Sequence, residues 1–582
     1  WLDVVRYAET NSFERDGAKP NAWKYRDYVI RSLNDDKPYD QFLREQLAGD
    51  ELDQVTVDSM TATGFYRLGI WDDEPADPLQ SRYDELDDIV ATIGKSMLGL
   101  TINCARCHDH KIDPMPQADY YGMLAFLADV TPYGERGNQQ RNSQWDVSQG
   151  EVRAARRRLK RREEKVVQLK VSIEETGVKR MSAPDQRRSE THEREALLVE
   201  KLEGSLNASE WQQYQDTLTQ LADIHRQLEK LPAPEAVLAL ARCEPHPPAT
   251  HILTRGNPHA PGDEVQPHFP EIFQQAAPEL PAAGPNARTA GRRRVLAEWV
   301  ASKENLLTAR VIVNRVWQHH FGRGIVRSAS NFGVLGDPPT HPELLDFLAV
   351  WLMDHEWRLK PLHRLIMTSE AYRQSSAGRD DCLAADPQND SFWRYDLHRL
   401  SAEEVRDSVL AVSGRLNRGL YGPSFYSLIS ADAMSTQSRP GDGWGTSSPR
   451  ERSRRSVYIH VKRSLVTPLL SAFDFPDTDV SCEARFMTTQ PAQALSMVNG
   501  AFLNEQAAAL AERVRSEAGD AVQSQTRRAI ELALQRDAEP EEVSAGLDLI
   551  ERMRSVHGVD DDAALKMWCL TVLNLNEFMY LD

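Results

Sequence analysis

Residues 82–99 have the sequence RYDELDDIVATIGKSMLG, and this stretch indicates how the chain folds. Its apolar residues recur three or four positions apart, which places their side chains on one face of an α-helix. These residues are Leu86, Ile89, Val90, Ile93 and Met97. Gly is a residue type that often ends a helix. We therefore predict a helix from about residue 82 to Gly99, and Cys104 follows five residues later.

Helices joined by polar loops are predicted throughout residues 1–135, which we assign to an N-terminal helical domain. One helix is predicted at residues 23–33. A second, at residues 39–47, follows Pro38, a residue type favoured in the first helical turn. An apolar stretch at residues 120–127 predicts the last helix of this domain.

Residues 136–231 have a different pattern, in which apolar residues alternate at spacings of three and four. This spacing is the seam of a coiled coil. The first stretch comprises Val152, Ala155, Leu159, Arg162, Val166, Leu169 and Ile173, and the second comprises Trp211, Tyr214, Leu218, Leu221, His225 and Leu228. We predict an antiparallel helical hairpin inserted in the chain. A dimerisation arm that joins two copies of the chain is the alternative role for this hairpin.

Residues 232–290 are rich in Pro, His and Gly, and predict a linker with a short β element that includes residues 249–253. Residues 291–582 are predicted to form a C-terminal helical domain. Thr340 and Ser401 are each followed three positions later by Glu, the spacing of a capping box. Long helices are predicted at residues 493–514, 541–553 and 563–580. The predicted fold class is mainly α: a multi-domain helical protein with a coiled-coil hairpin and a small β-containing linker.

The composition excludes several classes of protein. The 582 residues are 41% hydrophobic, 27% charged and 8% aromatic, with a mean hydropathy of -0.54. These proportions are typical of a soluble globular protein and not of a disordered or membrane chain. Since no apolar run approaches the roughly 18 residues needed to cross a bilayer, no membrane span is expected.

The charge of the chain is negative overall and unevenly distributed. With 69 Lys and Arg against 87 Asp and Glu, the net charge is -18, so nucleic acid is not an expected partner. Residues 72–88 contain eight carboxylates and one Arg, whereas residues 288–327 contain nine Lys or Arg and two Glu. These stretches could attract each other or bind anionic ligands, and solvated helix faces are the alternative.

Residues 104–108, CARCH, have the C-x-x-C-H pattern of covalent haem c attachment. The spacing lets Cys104 and Cys107 reach the two vinyl groups of one porphyrin, and the imidazole of His108 then binds the iron. A zinc site and a redox dithiol or local disulfide are the alternatives. The other cysteines are isolated in the sequence and could form disulfides in an oxidising compartment: Cys243, Cys382, Cys482 and Cys569.

The sequence does not determine the second axial ligand of the iron. Met97, Met115 and Met123 are near in sequence, and a Met ligand would raise the reduction potential relative to His. His319 and His320 are distant candidates as metal ligands, and either would connect the two halves of the chain through the iron. An open, five-coordinate iron is the alternative.

Arg315 is a further candidate residue for binding the cofactor. It belongs to a series of polar residues at helical spacing, Arg310, Asn314, Arg315, Gln318 and His319. More positive charge lies at residues 292–294 and 450–463. Guanidinium groups suit carboxylate, sulfate and phosphate, so we predict a site for haem propionates or an anionic substrate. The alternative is a set of ion pairs with the acidic N-terminal half.

Two sets of short motifs resemble known families. WLD at 1–3, RYA at 6–8, NAW at 21–23, YRDY at 25–28, DKPYD at 36–40, QLAGD at 46–50 and CARCHDHK at 104–111 resemble the planctomycete cytochrome C-like domain family. NRVWQHHFG at 314–322, FG at 332–333, HPELL at 341–345, LHRLIM at 362–367 and FDFPD at 473–477 resemble the planctomycete-specific domain usually found downstream of it.

The resemblance implies exported proteins with a c-type haem and no established reaction. Residues 1–135 would then be a cytochrome c-like domain. Members of the family often accompany sulfatase-like exported proteins, which indicates complex anionic glycans. Many carry another cytochrome-type segment upstream, so a second haem could precede this chain. Because the sequence begins at Trp1 without Met or a leader, we expect a processed or incomplete N-terminus.

We predict a periplasmic or exported protein with one covalent haem c that exchanges electrons with a redox partner protein. A coupled oxidation of anionic carbohydrates would make it a haem-dependent oxidoreductase. Its status as an enzyme stays open and no catalytic residue is assigned, because the common hydrolase, nucleotide-binding and metalloprotease motifs do not occur. The alternatives are a glycan-binding or assembly protein with a structural C-x-x-C-H loop, and a peroxidase-like haem enzyme with an open axial site.

Overall fold

The computed structural model of the chain describes residues 1–13, 15–135, 138, 140–191, 193–435, 437 and 439–581. In this part of the chain 52% of the residues are helical and 5% are in strands, so the predicted mainly α class is confirmed. Trp1–Gln144 and Leu238–Asp582 form one compact unit, and Trp145–Val237 form a second. Among the described residues, no helix combines the length and apolar character needed to cross a membrane.

The N-terminal part of the first unit consists of short helices. They are α1 (Ala22–Asn34), α2 (Tyr39–Ala48), α3 (Val57–Ala62), α4 (Pro78–Ile93) and α5 (Gln117–Ala125), with a π-helical turn at Gly94–Leu98 and 3-10 helices at Thr63–Arg67 and Ile102–Arg106. Helix α4 begins earlier than predicted. The carboxylate of Asp77 accepts hydrogen bonds from the amides of Leu79 and Gln80, and Pro78 occupies the first turn.

The second unit contains the predicted antiparallel helical hairpin. Its elements are β1 (Gln144–Asp146), α6 (Gly150–Lys179), α7 (Ala183–Arg188), α8 (Arg194–Ser205), α9 (Ala208–Glu229) and β2 (Ala236–Leu238), and β1 pairs with β2. Three contacts show that α6 and α9 run in opposite directions. As the residue number rises along the α6 segment, the residue number of its partner in α9 falls. These contacts are Glu163 to His225 at 2.8 Å, Glu174 to Tyr214 at 3.1 Å and Arg180 to Glu210 at 2.5 Å.

The apolar seam of α9 differs from the predicted spacing at two positions. Thr217 and Ile224 are buried, whereas Leu218 and His225 are exposed. The buried face of α9 is therefore shifted by one residue at these two positions.

The β element of the linker is a two-stranded antiparallel hairpin. Strand β3 (Thr250–Leu253) pairs with β4 (Pro261–Val265), and Thr250 lies opposite Val265. A 3-10 turn at Thr254–Gly256 follows β3. The hairpin thereby presents a tight turn whose backbone can approach another segment closely.

The C-terminal part of the first unit is helical, as predicted. Its helices are α10 (Arg292–Val300), α11 (Leu306–Phe321), α12 (Pro342–Asp354), α13 (Leu359–Met367), α14 (Asp380–Ala385), α15 (Ala402–Val412), α16 (Ala431–Met434), α17 (Pro449–Arg452), α18 (Pro468–Ala472), α19 (Pro491–Asn499), α20 (Ala501–Ala518), α21 (Val522–Leu534), α22 (Pro540–Ser555), α23 (Asp561–Val572) and α24 (Asn576–Met579). Strand β5 (His398–Arg399) pairs with β6 (Tyr580–Leu581). The helix predicted over residues 493–514 is divided at Gly500, whose backbone is extended with φ -62° and ψ 132°.

One of the two predicted capping boxes is confirmed. The Ser401 hydroxyl accepts a hydrogen bond from the Glu404 amide, and the Glu404 carboxylate accepts one from the Ser401 amide. The box predicted at Thr340 is wrong, because α12 begins at Pro342 with His341 as its cap. Pro lacks an N–H and has a fixed φ, so it is suited to the first helical position and leaves Thr340 outside the helix.

Two hydrophobic cores stabilise the first unit. One core combines side chains of the N-terminal helices with side chains of α10 to α13, and the other is built from residues 400–579. Helix α10 packs against α2, and α11 packs against the π-helical turn Gly94–Leu98. This packing places α11 next to the backbone that leads into residues 104–108.

Candidate functional site

The C-x-x-C-H motif lies at the end of the 3-10 helix Ile102–Arg106. Residues three positions apart share a face of a 3-10 helix. Ile102 and Ala105 are fully buried, whereas Cys104 and Cys107 are exposed, and so is the imidazole that follows them. The local structure therefore anchors one face of the segment in the core and presents two thiols and one imidazole to solvent.

Arg106 anchors the motif to two helices. Its guanidinium Nη2 lies 2.6 Å from the carboxylate of Asp84 in α4. Its carbonyl accepts hydrogen bonds of 2.9 Å from the side-chain amide of Gln117 and from the hydroxyl of Tyr121, both in α5. Gln117 also donates to the carbonyl of Leu253 at the end of β3, so the β hairpin is tied to the same point.

Gly256 makes the closest backbone approach to the motif. It has a φ of +71°, and a Cβ at this position would lie 2.8 Å from the Sγ of Cys107. A side chain would therefore be strained by the backbone and would displace the thiol. The turn after β3 thus limits the space on one side of Cys107.

The hydrogen bonding of His108 defines which of its nitrogens carries the proton. Its Nδ1 lies 2.6 Å from the carbonyl oxygen of Asp109. A carbonyl oxygen only accepts hydrogen bonds, so Nδ1 is the donor, and the neutral ring has its lone pair on Nε2. Metal-binding histidines are commonly oriented by such a bond from the other ring nitrogen. His108 is therefore in the tautomer that a metal ligand needs.

The loop after the motif is held by a second histidine and by a segment of the C-terminal part. The Nδ1 of His110 accepts hydrogen bonds from the amides of Ile112 and Asp113, at 3.3 and 2.8 Å. The carboxylate of Asp113 accepts one of 2.7 Å from the amide of Val334. Ile112, Val334 and Leu335 are 42%, 68% and 70% exposed, so apolar side chains face solvent near this loop.

The structure buries the three methionines considered as axial ligands. Met97 lies in the π-helical turn and is 0% exposed, Met115 is 5% exposed, and Met123 in α5 is 1% exposed. Their sulfur atoms belong to the main hydrophobic core of the first unit. None of them is presented to solvent beside the exposed motif.

His319 and His320 lie in the last turn of α11. The Nε2 of His320 is 2.8 Å from the Nδ1 of His363. Loss of hydration lowers the pKa of both rings. The neighbouring His363 lowers the pKa of His320 further, whereas the carboxylate of Asp36 opposes the effect at His363. Loss of hydration, followed by nearby positive charges that include Arg315, lowers the pKa of His319 to about 4. The described contacts do not bring these rings to the motif, and their role as iron ligands stays a prediction.

Arg315 is buried in α11 and lies beneath the segment that precedes the motif. Its Nη2 donates a hydrogen bond of 3.1 Å to the carbonyl of Ser96 in the π-helical turn. Burial lowers the pKa of Arg315, although the neighbouring Tyr39 opposes this effect. Burial also raises the pKa of Tyr39 to about 12, opposed by the charge of Arg315. Binding of haem propionates or an anionic substrate by Arg315 stays a prediction.

Other arginines of the C-terminal half form ion pairs with the acidic N-terminal half. The buried guanidinium of Arg293 lies 2.7 Å from Asp50, 3.0 Å from Glu51 and 3.0 Å from Asp129. These contacts correspond to the structural alternative considered for the basic stretch. The positive charge around residue 293 is therefore already used within the fold.

The donor atoms of the motif fit a c-type haem. All six cysteines are unpaired, including Cys104 and Cys107. Covalent haem attachment requires two free thiols and one neutral imidazole nitrogen, and the motif presents all three. Among the described residues, no group of three or more His, Cys, Asp or Glu side chains is arranged to hold a metal ion.

Several residues around the motif could not be found from the sequence. Gly256, Gln117 and Asp113 position the motif or its loop through contacts with distant segments. A Gly in a turn and a Gln near a helix start are common, so neither residue type indicates a site. The spacing of the motif was the only local signal.

Comparisons with known proteins agree with this architecture. Residues 1–132 match the family described as PSCyt2, protein of unknown function (DUF1549), and this match contains the whole motif. Residues 292–550 match the family described as PSD1, protein of unknown function (DUF1553). These two matches confirm the resemblance of the N-terminal part to the planctomycete cytochrome C-like domain and of the C-terminal part to its companion domain. No curated protein and no solved structure matches the chain.

Proposed function

We propose that this protein is an exported c-type haem protein that transfers electrons. The haem would be joined to Cys104 and Cys107 and bound through His108. The observation that carries the proposal is the hydrogen bond from His108 Nδ1 to the carbonyl of Asp109, which leaves Nε2 free as a ligand. The unpaired, exposed thiols on the same segment support it.

Cys104, Cys107 and His108 each have a defined chemical role in the proposed haem site. Cys104 and Cys107 would each hold the porphyrin through a thioether bond, formed by addition of the S–H group across one vinyl group, with sulfur and hydrogen bonded to its two carbons. Burial of Ile102, before the first cysteine, and of Ala105, between the two cysteines, fixes the backbone of the motif. When bound, the haem supplies an iron that alternates between the ferrous and ferric states and so carries one electron.

The surroundings of the motif suit an apolar cofactor and an electron partner. The exposed side chains of Ile112, Val334 and Leu335 provide apolar surface near the loop, and burial of such surface is favourable. Attachment of haem c takes place outside the cytoplasm, so the proposal includes an exported location. A redox partner protein and a coupled oxidation of anionic carbohydrates rest on the family resemblance.

Maturation in a host that exports and loads c-type cytochromes tests this proposal. We expect a pyridine haemochrome spectrum typical of thioether-linked haem in the wild-type protein and its loss in the Cys104→Ser, Cys107→Ser double variant. Cys382→Ser, at an unpaired cysteine outside the motif, is the matched control and should retain the spectrum. Purified wild-type protein without haem, from cells in which a known cytochrome is loaded, would remove the proposal.

A second candidate is a haem enzyme with an open axial site. It is favoured by the burial of Met97, Met115 and Met123, since none is presented near the exposed imidazole. A high-spin ferric spectrum together with turnover of peroxide would support this candidate. A low-spin, six-coordinate spectrum without peroxide turnover would favour the electron carrier.

A further inference from the structure

A small cavity lies in the N-terminal part of the first unit and is lined largely by charged side chains. Its volume is about 10 Å³, and Arg6, Lys19, Arg67, Glu85 and Tyr133 are among its lining residues. A cavity of roughly 10–15 Å³ holds one particle of the size of a water molecule. The cavity therefore excludes sulfate, phosphate and organic ligands.

Three cationic side chains at this cavity are almost completely buried. Lys19 is 2% exposed, and Arg6 and Arg67 are each 1% exposed. The Nζ of Lys19 lies 4.2 Å from the centre of the Tyr133 ring, a cation–π contact. Within the described residues, Lys19 Nζ, Arg6 Nε and Arg67 Nε have no hydrogen-bond partner. Buried polar groups are rarely left in this state, and unpaired buried donors are costly.

The carboxylates around the cavity do not balance its cations. Asp88 lies 3.0 Å from Arg6 and forms an ion pair with it. Glu85 lies 3.6 Å from Arg67 and 3.6 Å from Arg82, so one carboxylate serves two guanidinium groups. With Lys19 included, three cationic groups line the cavity against two carboxylates, which leaves a formal excess of one positive charge.

An excess of buried positive charge can be relieved in two ways. Lys19 can lose its proton, and burial together with the charges of Arg463, Arg67 and Arg6 does lower its pKa well below the ordinary value, while Glu85 opposes this effect. Otherwise an anion can enter and interact with the unpaired donors. A water molecule can fill the same volume but carries no charge.

We propose that this cavity is a binding site for one monatomic anion of the halide class. Lys19, Arg6 and Arg67 would hold the ion, and Tyr133 would close the cavity beside the ammonium group. The ion would join three segments of the fold: the N-terminal residues, the 3-10 helix Thr63–Arg67 and the loop that contains Tyr133. This site is independent of the proposed haem.

Halide dependence of stability tests the proposal in solution. The unfolding midpoint should rise as chloride replaces gluconate at constant ionic strength, because gluconate is too large for the cavity. Binding to the folded state alone predicts a rise of about 1–3 °C for each tenfold increase in chloride above its dissociation constant. Lys19→Met should abolish this rise, and Lys303→Met, at an exposed lysine paired with Asp354, should retain it.

Anomalous scattering from crystals soaked in bromide tests the same site directly and does not depend on a variant that folds. We expect one bromide peak within contact distance of Lys19 Nζ in the wild-type protein. Lys19→Gln provides a second variant if the Met variant does not fold, and it should lack the peak. A cavity filled by water without bromide, or a midpoint that is equal in chloride and gluconate, would overturn the proposal.

Discussion

Replacement of Arg293 by Met tests how the two halves of the first unit are joined. Arg293 is 0% exposed, and its guanidinium contacts Asp50, Glu51 and Asp129 at 2.7, 3.0 and 3.0 Å. Methionine retains the apolar stem but leaves the carboxylates without a counter-charge. Removal of one partner of a buried ion pair typically costs about 3–5 kcal/mol.

The pKa values of Glu51 and Asp50 indicate how these two carboxylates contribute to the loss. Burial raises the pKa of Glu51 to about 7, in spite of the charge of Arg293, so Glu51 is close to half protonated at neutral pH. Burial alone would raise the pKa of Asp50, but the charge and hydrogen bonds of Arg293 more than offset this and lower it. The expected loss, about 3–5 kcal/mol, therefore comes more from Asp50 than from Glu51.

Native-state hydrogen exchange of the amides in α10 is the suitable assay, because it reports the stability of one region of a large chain. The expected loss lowers protection by roughly 150- to 5,000-fold in Arg293→Met. Arg294→Met is the matched control. Arg294 is the next residue and pairs with Asp53, whose side chain is 83% exposed, so a small effect is expected there.

The pH dependence of the same variant checks the physical reason. In Arg293→Met the uncompensated carboxylates bind protons more readily in the folded state than in the unfolded state. The variant should therefore lose stability as pH rises, and its difference from the wild type should grow between pH 5 and pH 8. Protection equal to that of Arg294→Met, or a difference that does not change with pH, would refute the reasoning.

Two further predictions concern the site and its supporting hairpin. In haem-free native protein, iodoacetamide should modify the exposed Cys104 and Cys107. Burial raises the thiol pKa of Cys243 well above its usual value, so Cys243 should react only after unfolding. Early labelling of Cys243 in peptide mass spectra would contradict the structure. The hydrogen bond to Asp119 raises the pKa of His268 above 6.5, so its stabilisation is complete below pH 6.5 and is lost as pH rises through the raised value. The unfolding midpoint of His268→Gln should approach that of the wild type as pH rises from 6 to 8.5, and a constant difference would be evidence against this linkage.

The helices could be predicted from the sequence because their signals are local. The apolar spacing of Leu86 to Met97 lies within one helix and the turn that follows it. The side chains that pack between helices were harder to predict from the sequence. The seam of α9 includes Thr217 and Ile224 in place of Leu218 and His225, because packing against the neighbouring helix decides which of two adjacent positions is buried.

Only the part of the candidate site formed by residues 104–108 could be predicted from the sequence, through the spacing of its two cysteines and its histidine. Cys104, Cys107 and His108 are adjacent in sequence, so their joint chemistry can be inferred directly. Arg293 and Asp50 are 243 residues apart, and the approach of Gly256 to Cys107 joins two distant segments. Long-range contacts of this kind follow from the packing of whole elements, and no local pattern specifies them.

Mass analysis of the peptide that contains residues 104–108, isolated from exported protein, tests the central claim most directly. We predict one haem bound through both Cys104 and Cys107, with neither thiol available for alkylation. The account would be contradicted by a bare peptide with two alkylated cysteines, obtained from cells that load haem onto another cytochrome c.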